Sequence, residues 1–315
     1  MKKNYLIFKS LVFLFFFNSL CLAQVEKTTI RVPVHIKSIL SPGEKFKFAD
    51  GTVVNEKDIY QDIIVTIYKD KKINKGPYLI FNHGTNLGLY KAHEVNSKSL
   101  DAIGNFFSKY GFITIIPIRA GYGESGGAIS DFKGTCLKPK IIEGMNNMVH
   151  QNLKVLEYIR NIPYININEG LIAGVSGGGG LSIAVASENI SGLKGVINFA
   201  GALKDVYAQP TSQNINERKE INCASEETKL AFKYYGSSTK VPSLWLYSIN
   251  DRIIGITKPM EWFQTFQKAN YIPKGKFEFL QSYKLDGHGV MNDGNIWIPQ
   301  FNKFLQEINF SLRIK

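Results

Sequence analysis

No internal repeat, low-complexity tract or Pro/Ser-rich linker interrupts these 315 residues. That excludes a solenoid or a string of tethered modules and leaves one large domain or two small ones. The basic residues, although they outnumber the acidic ones by 38 to 26, are scattered rather than clustered. A solvated basic surface is therefore the reading, and no nucleic-acid partner is expected. No long apolar run is available to span a bilayer, because Lys9 breaks the N-terminal one. Cysteine is scarce, at three residues. The composition that remains, 44% hydrophobic and 20% charged, belongs to a soluble globular protein with a substantial core.

The first residues form a separate unit. Lys2 and Lys3 precede the apolar stretch from Leu11 to Phe17, and small Ala23 then stands before Gln24. A basic start, an apolar centre and a small residue at the cut describe a signal peptide over 1–23, with 24–315 as the mature domain. Asn18, Ser19 and Leu20 before Cys21 fit a lipoprotein signal poorly. Removing the segment lowers the formal charge from +12 to +9 and leaves no stable membrane insertion. The expected address is the periplasm or the medium, where disulfides persist. The two cysteines left, Cys136 and Cys223, are then a candidate bridge. Closing an 87-residue separation is worth on the order of 4 kcal/mol of chain entropy. Two separate buried thiols are the alternative.

Along the chain, residues 28–38 and 62–69 alternate with period two and read as half-buried strands, an antiparallel start. Short apolar runs follow at 77–84, 112–121, 170–178, 193–201, 241–251 and 275–282. Helical patterns intervene at 97–110 and 143–160, and a last one lies near 294–310. Apolar strands alternating with amphipathic helices mean a mostly parallel sheet covered on both faces, an α/β fold. Ligands of such sheets sit outside the carboxyl ends of the strands. The 121–142 loop and a polar insertion at 203–240 are expected to emerge there as cover segments.

GVSGGGG, residues 174–180, puts one serine among glycines directly after an apolar run. Glycine inside a helix costs roughly 1 kcal/mol against alanine, so the backbone here must need space that a side chain would take. The Lys-Ser/Thr pair of a phosphate loop is missing. The G-x-S-x-G pattern at a strand-to-helix junction instead thrusts the Ser176 hydroxyl above the sheet as a nucleophile. A serine needs a base to take its proton and a third group to orient that base, following it in the order Ser, acid, His. His288, in DGHG, is the one histidine after Ser176. Asp251 ends the run VPSLWLYSIND and is favoured as the acid, with Asp286 and Asp293 as alternatives. The backbone N–H of Gly177 and that of Thr85, in NHGTN, are the expected oxyanion donors. His83 is read as structural, and His35, His93 and His150 as ordinary surface or satisfied histidines. Tyr122, Tyr207, Trp245 and Trp262 point to an apolar or aromatic acyl group, unless the two tryptophans belong to the core.

With NHGTN, GVSGG, YSINDR and DGHG in this order, the chain resembles the α/β-hydrolase fold over roughly residues 60–310. It looks most like the exported dienelactone-hydrolase-like group, which shares features with the prolyl-oligopeptidase catalytic domain. IIPIRAGYGESGG (115–127) is similar to the strand and Gly-rich loop after the oxyanion segment in these proteins. The resemblance implies hydrolysis of a small ester, or of a short peptide, without metal or organic cofactor. It also carries departures. Dienelactone hydrolases proper use cysteine where Ser176 stands, the chain has no room for a β-propeller, and no carboxylate pair for a free substrate amine is found. A non-catalytic envelope binding protein on the same scaffold is the remaining alternative.

Overall fold

A computed structural model describes residues 25–47, 51, 53–54, 56–85, 89–127, 129–203, 225–269, 275–310 and 312. The expected signal peptide over 1–23, Tyr207 and Cys223 lie outside them. The strands are β1 (Val25–Ile36), β2 (Phe46–Lys47), β3 (Val53–Val54), β4 (Ile59–Asp70), β5 (Gly76–Asn82), β6 (Ile113–Ile118), β7 (Ile165–Val175), β8 (Leu193–Phe199), β9 (Ser243–Ser248) and β10 (Gly275–Leu280). The helices are α1 (Asp101–Lys109), α2 (Ile141–Ile159), α3 (Gly177–Ala186), α4 (Ser225–Ser238), α5 (Thr257–Ala269) and α6 (Gly294–Glu307).

Eight strands form one sheet in the order β1-β4-β6-β5-β7-β8-β9-β10, and β2 and β3 form a small antiparallel pair. β1 pairs antiparallel with β4, and β4 antiparallel with β6. From β6 to β10 every pairing is parallel. The mostly parallel sheet and its antiparallel start are those the hydrophobic pattern predicts. The order is not simply sequential, since β6 lies between β4 and β5.

Both faces of the sheet are covered, and the period-two direction of strand side chains divides the core accordingly. Tyr78 and Ile80 of β5, with Trp245 and Tyr247 of β9, join the core built with α2, α3, α4 and α5. Leu79, Phe81, Leu244 and Leu246 face the opposite core, built with α1 and α6. Trp245 packs on Phe232, Phe263 and Phe266, and Trp262 stacks on Phe232. Both tryptophans are core residues, as the core-packing reading of them expects, and neither is a pocket aromatic. Residues 225–238 of the expected insertion likewise form α4, which buries Ala231, Phe232 and Tyr235 in the core. The polar charge of SEETK at its start conceals this apolar face in the sequence. Among the described residues no helix is long and apolar enough to cross a membrane.

Candidate active site

Four carboxyl ends of parallel strands meet at one rim. β7 ends at Val175, and Ser176 makes the turn into α3 at φ 56° and ψ −127°. A positive φ is strained for a residue with a Cβ, and such strain persists only where surrounding contacts enforce it. Here the Ser176 N–H donates to the Phe199 carbonyl at 2.9 Å, and the Ser176 carbonyl accepts from Gly179, Gly180 and Ala202. The glycine run answers to crowding. A Cβ on Gly178 would lie 2.1 Å from the Asn82 carbonyl oxygen, and one on Gly179 2.3 Å from Asn198 Oδ1.

β9 delivers Asp251 three residues beyond its end. The side chain is buried, with Oδ1 accepting from the N–H groups of Ile253 (3.0 Å) and Ile254 (2.9 Å). Its Oδ2 lies 3.0 Å from His288 Nδ1, and His288 Nε2 lies 3.0 Å from Ser176 Oγ. An ionised carboxylate only accepts, so Nδ1 carries the proton and Nε2 is free to accept from the serine hydroxyl. The structure thus brings Ser176, His288 and Asp251 into one hydrogen-bonded chain. It does not bring the two alternative acids to the ring. Asp286 Oδ1 accepts from the backbone N–H groups of Arg252 and His288, stapling the loops that carry Asp251 and His288. Asp293 caps α6 through the Asn295 N–H.

The segment after β5 runs alongside. A Cβ on Gly84 would lie 3.3 Å from the Ser176 Cβ, and the Thr85 nitrogen is 3.4 Å from where a Gly177 Cβ would stand. The Gly177 N–H belongs to the first turn of α3, where no intrahelical carbonyl exists to receive it. Both expected donors therefore border the serine. His83 is fully buried. Its Nδ1 bonds the Gly84 carbonyl at 2.8 Å, and its Nε2 accepts the Arg119 backbone N–H at 3.1 Å. Burial and then the Arg119 charge push its imidazole down to about 3, so the ring is neutral.

Behind this segment sits a group that the sequence reading missed. Arg119, just past β6, and Asp131, in the 121–142 loop, form a buried ion pair at 2.9 Å. Burial alone would raise the Asp131 carboxyl, but the Arg119 guanidinium outweighs it and holds it well below the ordinary carboxylate range. The available signal was the arginine itself, a charge closing the largely apolar run ITIIPI. Cys136 lies half-buried in the same loop, and its expected partner is outside the described residues. A cavity of about 630 Å³ between β1, β4 and α2, lined by His35, Tyr60 and His150, shares no residue with this site.

No protein-family model and no curated protein matches the chain. Solved structures do match. A dienelactone hydrolase from Klebsiella pneumoniae, itself described as putative, is 14% identical, with a TM-score of 0.52 over 90% of this chain and 100% of that one. The Pyrococcus furiosus esterase Pf2001 is 11% identical, with a TM-score of 0.54 over 90% and 91%. Est1E from Butyrivibrio proteoclasticus, solved with ferulic acid, is 15% identical, with a TM-score of 0.52 over 79% and 97%. The chain has the α/β-hydrolase fold. At such low identities the likeness extends to the fold and no further. Within that fold the candidate site lies at the carboxyl rim of the parallel strands, where the sheet's geometry places ligands.

Proposed function

We propose that this protein is an exported serine hydrolase that cleaves small carboxylic esters through an acyl-enzyme. The observation that carries the reading is the pair of 3.0 Å contacts joining Ser176, His288 and Asp251. The esterases and dienelactone hydrolase of the same fold support the reaction class. In the proposed reaction, His288 Nε2 takes the Ser176 proton as Oγ bonds to the substrate carbonyl carbon. The carbonyl oxygen becomes an oxyanion, held by the N–H groups of Gly177 and Thr85. Asp251 keeps the ring oriented and balances its positive charge. The tetrahedral centre collapses, the carbon–oxygen bond to the leaving group breaks, and His288 returns its proton to that alcohol. Water then repeats the sequence on the acyl-enzyme and releases the acid.

The signal-peptide pattern of residues 1–23 supports export, and the disulfide-bonded state of Cys136 supports a Cys136–Cys223 bridge in the exported form. The test of the reaction is Ser176→Ala on a chain-length series of activated esters. We expect the variant to stay folded and turnover to fall by on the order of 10⁴–10⁶-fold. Turnover near the wild-type rate, or a wild-type protein that a fluorophosphonate probe fails to label, rejects the assignment.

A further inference from the structure

We infer that Arg119 is a positioning residue: together with Asp131 it aims the Thr85 N–H at the oxyanion. The inference rests on the hydrolase reading above and adds a component to it. Arg119 Nη1 donates to the His83 carbonyl at 2.6 Å, and Nη2 lies 3.4 Å from the Gly84 carbonyl. The Gly84 carbonyl also meets His83 Nδ1 at 2.8 Å. That carbonyl and the Thr85 N–H belong to one peptide unit, and every described peptide bond is trans. In a trans unit the two groups point in opposite directions. Holding the oxygen toward the guanidinium therefore turns the N–H away from it, on the side where the Thr85 nitrogen abuts Gly177. A cation on the carbonyl end also polarises the same unit and strengthens its N–H as a donor.

Asp131 closes the clamp from the other side. Its Oδ2 accepts from the Thr85 hydroxyl at 3.1 Å and from the Tyr122 hydroxyl at 2.8 Å, while both its oxygens take the Arg119 fork at 3.1 and 2.9 Å. Thr85 is thus tied at its peptide and at its side chain to one buried pair. A buried ion pair is weak evidence for stability, since apolar replacements of both partners are often neutral. What this pair supplies is geometry. Oxyanion donors work by being set before the reaction, and a misplacement of about 1 Å can cost on the order of 10²-fold in rate.

The test replaces both partners, Arg119→Met with Asp131→Leu, so that neither charge of the pair is left buried without the other. Turnover is measured on an activated ester and on its thionoester, whose sulfur is a weak acceptor. We expect kcat on the oxygen ester to fall by about 10²-fold with KM within about threefold, because the donor acts on the transition state. We also expect the preference for oxygen over sulfur to shrink by about tenfold or more. A folded double variant with wild-type kcat and preference overturns the inference. So does an equal loss on both esters, which is what a smaller active fraction alone produces. If the double variant does not fold, Thr85→Val decides: it keeps the shape, removes the tie to Asp131, and must reduce the same preference. The hydrolase reading fails separately, if Ser176→Ala leaves ester turnover intact.

Discussion

Ser176 shows the conflict between stability and reactivity within a single residue. Its φ of 56° belongs to a region that disfavours any Cβ, at a cost of order 1–3 kcal/mol. The conformation is what lifts Oγ to within 3.0 Å of His288 Nε2. Ser176→Gly removes the Cβ, whereas Ser176→Ala keeps it and its strain. Glycine also loosens the unfolded chain, which takes back part of the gain. We expect the Gly variant to be the more stable of the two by about 1 kcal/mol in denaturant melts, with both inactive. An Ala variant equal to or more stable than the Gly variant contradicts a strained turn. The position of this turn was legible in the sequence, because an apolar run met a glycine cluster around a serine. Arg119 and Asp131 were not legible as a pair. Each stands in a loop among glycines and small residues, where a charge reads as solvated, and only the tertiary fold shows that both are buried.

The elements of the rim depend on how closely α3 approaches β5. Gly178 faces the carbonyls of Asn82 and His83, with 2.1 and 2.3 Å to a hypothetical Cβ. Both carbonyls belong to backbone that leads directly into the oxyanion segment, so they cannot yield without moving it. Gly178→Ala should therefore destabilise the protein by about 1–3 kcal/mol, the usual range for overpacking. It should also lower kcat more than KM, since the shift reaches Thr85. Urea melts and ester kinetics on the same preparation check both, and an unchanged kcat would show that α3 can slide without disturbing the segment. Strands of this scale were legible: each apolar run overlaps its strand, with ends displaced by up to five residues, as at β7, which begins at Ile165 rather than Gly170. The two-residue strands β2 and β3 carry too few residues for any period. α5 was obscured by TKPMEW, where Pro259 reads as a break although it sits within the first turn, a position that tolerates it. The insertion of β6 between β4 and β5 leaves no mark on either strand's own pattern, because both are buried on two faces.

At the scale of the whole molecule, one sheet separates two cores, and the rim loops are held to them by side-chain contacts rather than by regular structure. The 121–142 loop shows this most fully. Asp131 ties it to Arg119 and Thr85, and the proposed Cys136–Cys223 bridge is a second tie. Cys21 falls in the segment proposed to be removed, which leaves Cys223 as the partner within the mature chain. A bridge between positions 136 and 223 joins a segment before β7 to one after β8, so it constrains the unfolded chain across the two central strands. That constraint is worth on the order of 4 kcal/mol. Protein beginning at Gln24 should show no free thiol when denatured without reductant and two after reduction. Reduction should also lower its Tm, and because Asp131 anchors the same loop five residues from Cys136, ester turnover at temperatures well below the new Tm should persist. Two free thiols in the unreduced protein dismiss the bridge. Loss of turnover on reduction with the Tm unchanged would instead show that the bridge, rather than the Arg119–Asp131 pair, holds this loop in its working position.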